Sequence, residues 1–404
     1  MRVLHTSDWH LGRTLHGVDL LDHQAAYLDH LVELTRTEGV GAVLVAGDVY
    51  DRAVPPVEAV VLLSETLARL AEHATVVVTP GNHDSAARLG FGAAIMRDRI
   101  QVRTRVAGLA EPVVLPDDAG DLLVYALPYL DPDVVRRELS GDDTTGPAPA
   151  PLPRSHEAVV GAAMARVRRD LATRVDAAAR SGRPRPRAVV MAHAFVVGGE
   201  PSESERDIRV GGVDHVPAGM FAGIDYVALG HLHGPQQVGG VDGSALRYSG
   251  SPLAYSFSEQ HHRKSTVLLD LGSGQGSGTV EPELVPAPVP RRLADVTGTL
   301  EDLLGAAGEP HLDDWLRVTV TDAHRPADLY RRVKERFAHA LVIQHRPPER
   351  TSDRVGATVV TSANDPLQVA AEFVVHVTGM EPTDAELAVL RRAYEQVTAG
   401  ERSA

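Results

Sequence analysis

The sequence predicts a layered α/β fold, and three observations lead to this prediction. Over the first 270 residues, short β-branched runs alternate with longer stretches whose apolar residues recur every three or four positions, as strands and helices alternate in α/β domains. The 43% hydrophobic content is ordinary for a globular chain. Its 404 residues suffice for two or three domains with sizeable cores.

The individual elements can be read from these runs. The predicted strands are RVLHTS, GAVLVAG, TVVVTP, LLVYALP, RAVVMAH, IDYVALG and STVLLDL, beginning at residues 2, 41, 75, 122, 187, 224 and 265. The predicted helices are DHQAAYLDHLVELTR, PVEAVVLLSETLARLAEH and HEAVVGAAMARVRRDLATRVDAAAR, beginning at residues 22, 56 and 156. A stretch rich in Pro, Gly and Asp at 141–154 predicts a surface loop.

Changes in composition divide the chain into four segments. Residues 1–271 carry the α/β pattern, and 272–290 run from Gly/Ser-rich into Pro-rich sequence that predicts a linker. Residues 291–362 contain WLRVTVTD, PADLYRRVKERFAHA and LVIQHRP, a strand–helix–strand pattern that predicts a small α+β domain. Residues 363–404 predict two helices joined by GMEPTD.

The start of the last predicted helix has recognisable capping residues. Thr383 and Asp384 are both candidate N-caps. Glu386 is placed three residues after Thr383, the spacing of a capping box. The sequence therefore predicts that the final helix begins at this point.

Charge and cysteine content restrict the function. The chain has no cysteine, which excludes disulfides, a thiolate zinc site and a cysteine nucleophile. The net charge of −14 opposes DNA binding, because an acidic surface repels phosphates and gives up counterion release. Bound divalent metals, a partner or a basic patch would have to compensate. Residues 317–354, with nine Arg/Lys and five Asp/Glu, are either such a patch or a solvated helix face.

Targeting features are missing from the sequence. No apolar stretch approaches the roughly 18 residues of a membrane helix, and the N-terminal MRVLHTSDWH reaches Asp8 before a signal-like apolar core has formed. We therefore expect a cytoplasmic protein with no membrane partner.

Potential metal ligands follow the ends of five predicted strands. They are Asp8 and His10, Asp48 and Asp51, Asn82, His83 and Asp84, His193, and His231 and His233. Singly, each has an ordinary explanation as a turn residue, a cap or a structural histidine. Together they indicate one site, because loops at the carboxyl ends of neighbouring strands converge where ligands bind α/β sheets. A turn after Gly230 is predicted to aim both of the last two histidines at one point.

The types of ligand indicate the chemistry. Carboxylates, one amide oxygen and imidazoles without sulfur favour Mn²⁺, Fe or Zn. Seven such side chains are too many for one ion and suit two ions that share a bridging carboxylate. Two ions about 3.5–4 Å apart can clamp a phosphate and activate water. The pattern therefore predicts phosphoester hydrolysis.

The order D-x-H, G-D-x-x-D, G-N-H-D, a lone His and G-H-x-H resembles the calcineurin-like metallophosphoesterase superfamily. MRVLHTSDWHLGR at the start and YSGSPLAYSFSE at 248–259 narrow the resemblance to SbcD, a family of bacterial nuclease subunits. The resemblance covers the whole of 1–271 and continues more loosely to the C-terminus. It implies a metallophosphoesterase β-sandwich flanked by helices, with an α+β cap domain and a C-terminal helix pair.

The resemblance also implies roles for the site residues. One ion would be held by Asp8, His10 and His233, the other by Asn82, His193 and His231, with Asp48 bridging them, and Mn²⁺ is the expected metal. The counterpart of His83 contacts the scissile phosphate and helps to stabilise or protonate the leaving group, and Asp84 is placed to orient it. Asp51 stands where archaeal and eukaryotic relatives carry histidine, and is expected to support the ligands.

Partners follow from the same resemblance. A homodimer would form through helices at 56–72 and 86–98, the cap at 291–362 would help to select DNA, and the helices at 363–404 would dock on the coiled coil of the ATPase SbcC. The chain has no G-x-x-x-x-G-K-[ST] loop, so any ATP would be handled by that partner.

The leading hypothesis is a Mn²⁺-dependent nuclease that cuts double-stranded DNA at ends and at hairpins or blocked termini, in repair and recombination. The alternative is a phosphoesterase for a small phosphomonoester or cyclic nucleotide. It shares every ligand and is favoured by the −14 charge, whereas the SbcD-like stretch and the last ~130 residues oppose it. A protein phosphatase is disfavoured because GDVYDRA and GNHD replace GDxxDRG and GNHE. A non-enzymatic DNA-end scaffold would lack ligands, and none is missing.

Overall fold

Two six-stranded sheets form the centre of the fold in the computed structural model, which describes residues 1–96, 98–141, 150–208, 215–241, 244–272, 282–348, 365–378 and 380–401. The strands are β1 Arg2–Thr6, β2 Thr14–Leu15, β3 Val18–Asp19, β4 Ala42–Ala46, β5 Thr75–Thr79, β6 Ile100–Val102, β7 Val113–Leu115, β8 Leu122–Ala126, β9 Arg187–His193, β10 Tyr226–Gly230, β11 Gln236–Val241, β12 Ser244–Tyr248, β13 Ser265–Asp270, β14 Glu283–Pro286, β15 Leu293–Gly298, β16 Trp315–Val320 and β17 Ala340–His345. The helices are α1 Leu21–Thr37, α2 Val57–Ala71, α3 Ala86–Leu89, α4 Pro132–Val135, α5 His156–Arg180, α6 Leu300–Leu304, α7 Leu329–Arg336, α8 Pro366–Thr378 and α9 Asp384–Glu401.

The strand order brings the predicted ligand-bearing strands to the middle of each sheet. One sheet has the order β14–β13–β1–β4–β5–β6, and the other has the order β11–β12–β10–β9–β8–β7. Strands β1, β4 and β5 are parallel to one another, as are β8, β9 and β10. All seven predicted strands and all three predicted helices are confirmed, and the fold class is the expected metallophosphoesterase-type sandwich.

Continuous apolar strands are explained by burial on both faces. Residues of both sheets, among them Val77 and Val189, form one core between the sheets. Helices α1 and α2 cover the outer face of the first sheet, and α5 covers the outer face of the second. Runs such as AVLVA and YVALG are therefore buried throughout, as is typical of parallel strands between two layers.

A buried polar contact also joins the sheets close to the ligand-bearing edge. His5 of β1 lies 2.9 Å through Nδ1 from the hydroxyl of Tyr226 and 3.2 Å through Nε2 from the carbonyl of Leu229. Both of these partners belong to β10. The contact fixes the position of β1 against β10, the two strands that lead into Asp8 and His231.

The segment predicted as a cap contains a three-stranded parallel sheet in the order β15–β16–β17, with α7 crossing between β16 and β17. Leu316, Val318 and Phe337 lie in its core. The predicted strand–helix–strand pattern is confirmed, and β15 is an additional strand. A second apolar cluster packs Leu293 and Trp315 of the cap against residues that include Tyr255 and Phe257, which attaches the cap beside the SbcD-like stretch.

Part of the segment predicted as linker belongs to the sandwich. Within 272–290, β14 pairs antiparallel with β13 at the edge of the first sheet. An edge strand needs hydrogen bonds on one side alone, so Pro286 at its end is tolerated. Residues 273–281 of this segment lie outside the described residues, as do 142–149 of the predicted loop at 141–154.

The predicted helix at 86–98 is wrong as a continuous element. Helix α3 ends at Leu89, and a short 3₁₀ turn covers Ala93–Ile95. Two glycines cause the break: Gly90 caps α3, and Gly92 has a φ of 76° that a side-chain-bearing residue rarely adopts. Residue 97 is not among the described residues.

The last helices belong to a separate unit, residues 348–404. Helices α8 and α9 correspond to the predicted pair. The capping box is confirmed, because Thr383 N–H donates to Glu386 at 2.8 Å and Glu386 N–H donates to the Thr383 hydroxyl at 3.3 Å. Residues 349–364, which include the end of the predicted cap, are outside the described ranges. None of the helices in the described ranges is long and apolar enough to cross a membrane.

Candidate metal centre

Loops at the carboxyl ends of the central strands converge on one buried point. The N–H of Asp8 donates to the Gly47 carbonyl at 3.1 Å, and the N–H of His10 donates to the Asp48 carbonyl at 3.0 Å. These bonds tie the loop after β1 to the loop after β4. The convergence expected from the sequence is therefore present.

The backbone at this point adopts unfavourable conformations. Asp8, His10, Asp48 and His231 have φ values of 53°, 45°, 46° and 109°. Side-chain-bearing residues rarely adopt positive φ, and such strain persists where the surrounding structure enforces it, frequently at functional sites. The last of these four residues, His231, lies in the turn that was predicted after Gly230.

Two glycines allow the loops to approach closely. A Cβ atom on Gly230 would lie 1.8 Å from the carbonyl oxygen of Ala46, and one on Gly81 would lie 2.2 Å from an Asp48 carboxylate oxygen. Both distances are far below van der Waals contact. Any larger residue at either position would push the two sheets or the two loops apart.

One half of the cluster contains Asp8, His10 and His233. A potential ligand atom from each lies within 4.8 Å of the other two, and all three residues are buried. The Nε2 atoms of His10 and His233 are 3.1 Å apart. The Asp8 carboxylate also accepts the N–H of His231 at 3.0 Å, which ties the loops after β1 and β10 together.

The other half is built around His193. Its Nε2 lies 2.9 Å from the side-chain oxygen of Asn82 and 3.5 Å from the Asp48 carboxylate, and its Nδ1 lies 3.1 Å from the Ala46 carbonyl. The rings of His193 and His231 are 5.3 Å apart between centroids.

Asp48 lies between the two halves. Its Oδ2 is 3.6 Å from His10 Nε2, 3.5 Å from His193 Nε2 and 3.9 Å from His83 Nε2. It also belongs to two of the three groups of closely spaced ligand atoms in the described part of the chain. Asp8 and Asp48 are thus the two predicted carboxylates close to both halves, and Asp48 is the one whose Oδ2 lies within 3.9 Å of three histidine nitrogens.

His83 lies at the edge of this cluster with its ring held by the backbone. Its Nδ1 is 2.7 Å from the Asp51 carbonyl, so the proton is on Nδ1 in the neutral ring and Nε2 is free. Its own N–H donates to Asp48 at 2.9 Å. Burial lowers the pKa of His83. A protonated His83 would therefore give up its proton readily.

Asp84 does not make the contact predicted for it. Its carboxylate accepts the N–H groups of Val49, Tyr50 and Gly81 at 3.0, 2.9 and 2.9 Å. The oxygens are occupied in joining two loops, so the contact that orients His83 is the carbonyl of Asp51 instead. Burial, reinforced by Asp48, raises the pKa of Asp84 to about 7.

The side chain of Asp51 lies outside the cluster. Its Oδ1 is 3.7 Å from His10 Nδ1 and 3.3 Å from the guanidinium of Arg13. Arg13 in turn lies over the Tyr255 ring at 4.9 Å. Asp51 thus lies behind a predicted ligand, and its supporting role stays a prediction.

Burial dominates the protonation of the cluster. It lowers the pKa of His10 and of His231 well below the ordinary value, and it raises the pKa of Asp8 to about 6. Burial also acts on His193 and Asp48, but their mutual attraction prevails: it raises the pKa of His193 to about 9 and holds that of Asp48 well below its usual range. The cluster thus combines neutral imidazoles at His10 and His231 with an ion pair between His193 and Asp48.

This donor set fits a divalent cation. His10 Nδ1 is buried and has no hydrogen-bond partner among the described residues. Only one of the two facing Nε2 atoms of His10 and His233 can carry a proton at their 3.1 Å separation. Nitrogen lone pairs and carboxylate oxygens that converge in this way are the ligands that Mn²⁺, Fe and Zn take in proteins.

Three residues behind the cluster were not predicted as part of the site. Ser204 Oγ lies 2.6 Å from His233 Nδ1 and donates to Glu259, and Glu259 pairs with Lys264 at 2.5 Å. Burial opposes the charge of Glu259, but Lys264 and His233 hold its pKa below the usual range. Two signals were available: Glu259 ends the YSGSPLAYSFSE stretch, and Lys264 is one of only two lysines in the chain.

Comparisons with known families agree with this geometry. Residues 1–141 match the family described as calcineurin-like phosphoesterase. Over these residues the chain therefore resembles a calcineurin-like metallophosphoesterase domain. Residues 289–378 match the SbcD_C family, described as the type 5 capsule protein repressor C-terminal domain. The three histidines at 193, 231 and 233 come from outside both matched ranges and reach the site through β9 and β10.

Solved structures of low sequence identity also match this chain. The protein TT1561 of Thermus thermophilus is 16% identical, with 70% of this chain and 98% of that chain covered and a TM-score of 0.36. A dimetal phosphatase from Danio rerio is 12% identical, with 71% of this chain and 98% of that chain covered and a TM-score of 0.39. GAP50, described as the anchor in the inner membrane complex of Plasmodium, is 9% identical, with 71% of this chain and 89% of that chain covered and a TM-score of 0.35. Similarity at this level carries no argument about substrate or partners.

The metallophosphoesterase domain indicates a metal-dependent hydrolase. The buried His/Asp clusters at the edge of its sheets are able to bind a metal ion. The family match and the donor set together indicate metal-dependent hydrolysis as the broad chemistry of the protein.

Proposed function

We propose that this metallophosphoesterase is the nuclease subunit of an SbcC–SbcD-type complex. In this proposal it hydrolyses phosphodiester bonds of double-stranded DNA, as an exonuclease at ends and as an endonuclease at hairpins or blocked ends, for DNA repair and recombination. The proposal is carried by one observation: a single chain combines a calcineurin-like phosphoesterase match with an SbcD_C match.

The metal assignment is part of the proposal. One ion would be held by Asp8, His10 and His233, the other by Asn82, His193 and His231, with Asp48 shared between them and Mn²⁺ as the metal. The short distances from Asp48 to both halves of the cluster support this division. When bound, such ions supply a water nucleophile at neutral pH and offset the charge that develops on the phosphoryl oxygens.

His83 is proposed to act on the leaving group. The Asp51 carbonyl holds Nδ1–H at 2.7 Å, which leaves Nε2 as the atom that exchanges a proton with a substrate oxygen. The lowered pKa of His83, caused by burial, favours donation once Nε2 is protonated. Asp51 is therefore a positioning residue through its backbone, and Asp84 maintains the loop that carries His83.

The cap contributes limited positive charge near a DNA substrate. Within the basic segment 317–354, Arg331 and Arg336 are engaged in ion pairs with acidic neighbours. Arg325, Arg332 and Arg346 are exposed, and they form no ion pair in the part of the segment that the structure describes. These three arginines support the DNA-facing interpretation of the segment.

Parallel cleavage assays test the proposed function. The purified chain would be given end-labelled linear and hairpin DNA, a model phosphodiester and a model phosphomonoester, each with Mn²⁺ and with chelator. We expect DNA cutting that is lost with chelator, and little monoesterase activity. Efficient turnover of the small esters with intact DNA would contradict the proposal, if adding SbcC and ATP still left the DNA uncut. That result would favour the small-substrate phosphoesterase.

A homodimer is proposed through the face formed by α2 and the 3₁₀ turn that follows α3. Val57, Phe91 and Ile95 are 73%, 86% and 88% exposed there. Exposed large apolar side chains favour burial against a partner, and both elements pack against the same core cluster. A second copy of the chain would cover the same surface on both sides.

Replacing Ile95 with glutamate is expected to convert the dimer into a monomer of 43.2 kDa. A charge at the centre of an apolar interface is left without a partner when the interface forms. Light scattering after size exclusion measures the mass. Val134→Glu is the matched control, because Val134 is 73% exposed elsewhere on the surface and its replacement should leave the dimer intact. A wild-type chain that is monomeric in this measurement would disprove the dimer.

Docking of SbcC is proposed for the C-terminal unit. Phe373 and Val377 on α8 and Val389 on α9 are exposed apolar residues, which suits packing against the apolar seam of a coiled coil. The Phe373→Glu/Val377→Glu variant is expected to lose co-elution with SbcC while hydrolysis of the model phosphodiester continues. Unchanged co-elution would place the docking surface elsewhere.

A further inference from the structure

A chain of polar groups, half-buried at one end and fully buried at the other, lies directly behind His233. Its members are Ser204, Glu259 and Lys264, from the loop after β9, the SbcD-like stretch and the residue before β13. The side chains of Glu259 and Lys264 are 0% and 2% exposed. A buried ion pair is costly unless its geometry is specific, so its position beside a potential metal ligand calls for a functional explanation.

Lys264 uses all three of its N–H donors. They go to the Glu259 carboxylate at 2.5 Å, the Ser251 hydroxyl at 2.9 Å and the carbonyl of His233 at 2.9 Å. The ammonium therefore contacts both the backbone of His233 and the group that lies behind its ring. With a cation at this distance, Glu259 is ionised and acts only as an acceptor.

The direction of each hydrogen bond follows from the charge of Glu259. Its Oε1 accepts the single hydroxyl proton of Ser204. Ser204 Oγ, having donated that proton, is left as an acceptor for His233 Nδ1 at 2.6 Å. Nδ1 of His233 must then carry the ring proton, and Nε2, which faces His10 Nε2 at 3.1 Å, has a free lone pair.

We propose that Ser204, Glu259 and Lys264 form a positioning relay that holds His233 in the Nδ1–H tautomer and aims its Nε2 lone pair into the metal cluster. This inference rests on the proposed role of His233 as a metal ligand. Partners of this kind orient a ligating histidine and increase its basicity, and their loss commonly weakens metal binding by about 10- to 100-fold.

Glu259→Gln reverses the relay with little change of shape. The amide oxygen is required by the ammonium of Lys264, whose charge makes it a stronger donor than the Tyr255 N–H that reaches Oε1 at 3.1 Å. The amide NH₂ therefore turns toward Ser204. Ser204 then accepts from the amide and donates its own proton to His233 Nδ1, so the ring proton moves to Nε2. A protonated Nε2 cannot bind a metal ion. We expect the affinity for one of two Mn²⁺ ions to fall by about 10- to 100-fold.

The test uses Mn²⁺ titration calorimetry and ¹⁵N NMR of the full chain with labelled histidines, after chelator treatment and at mildly alkaline pH. Wild-type His233 should be in the Nδ1–H form and the Glu259→Gln variant in the Nε2–H form. Glu203→Gln is the matched control, since it removes one exposed carboxylate from the same loop and should change neither measurement. Thermal unfolding in chelator shows whether each variant is folded.

Each outcome is decisive. An Nε2–H tautomer in the wild-type chain overturns the relay, and this result does not depend on any variant being folded. A folded Glu259→Gln variant with wild-type tautomer and Mn²⁺ affinity also overturns it. The expected tautomers and Mn²⁺ affinities could be observed for a chain that leaves DNA uncut. That result would support the relay and contradict the proposed nuclease function, because neither measurement includes DNA.

Discussion

Replacing His83 with alanine is expected to reduce phosphodiester cleavage by about 10²- to 10⁴-fold while both Mn²⁺ ions still bind. The ring is held through Nδ1 by the Asp51 carbonyl, and Nε2 is the free atom at the edge of the cluster. Its loss removes a proton donor for the leaving oxygen and leaves the proposed ligand set intact. Cleavage rates and Mn²⁺ titrations on the same preparation separate the two effects.

His30→Ala is the control for this variant. His30 lies on α1, away from the loops that carry the cluster, so its loss should change neither measurement. Wild-type cleavage by the His83→Ala variant would remove His83 from the mechanism. A variant that loses Mn²⁺ instead would make His83 a ligand, as its presence in one of the closely spaced groups of ligand atoms allows.

Replacing Asp48 with asparagine should be still more damaging, because Asp48 contacts both halves of the cluster. The amide keeps an oxygen for the N–H of His83 but loses the negative charge that two cations would share. We expect at least one of two Mn²⁺ ions to be lost, and activity to fall by more than the roughly 100-fold that removal of a supporting residue costs. Titration calorimetry gives the number of ions, and the model phosphodiester gives the rate.

Asp51→Asn provides a matched comparison with Asp48→Asn. The same chemical change is made in the next carboxylate of the same loop, which contacts His10 Nδ1 from behind at 3.7 Å. Its backbone carbonyl, which orients His83, is unaffected. Two ions should still bind, with a reduction in affinity of about tenfold. If Asp51→Asn lost an ion and Asp48→Asn did not, the assignment of the bridging carboxylate would be wrong.

Much of the site could be predicted from strand ends alone. Alternating strands and helices predict a parallel sheet, and in such a sheet the residues that follow each strand meet at one edge. Asp8, Asp48 and Asn82 lie together for this reason, and His193 meets them from the end of β9 in the second sheet. The apolar runs that precede these residues were equally informative about the site. Strands buried on both faces have few polar positions, so the first polar residues after such a strand are easily recognised.

Local sequence was less informative about breaks and edges. The helix expected at 86–98 is divided because Gly90 and Gly92 end one turn and begin another. The segment expected as a linker supplies β14, because an open edge beside β13 accepts a short strand with a terminal proline. In both cases the local structure depends on backbone conformation or on pairing with a neighbouring strand. The hydrophobic periodicity of the segment predicts neither of these.

The sequence by itself determined which strands form the sandwich and which residues reach its ligand-binding edge, since both follow from hydrophobic periodicity along the chain. The tertiary structure alone decided which groups support them. In the structure a backbone carbonyl, not Asp84, contacts the His83 ring. Ser204 and Glu259, which are 29 and 26 residues from His233 along the chain, lie behind the His233 ring. The physical reason is that hydrogen bonds between distant segments depend on the final packing of loops, and no pattern within one segment encodes them.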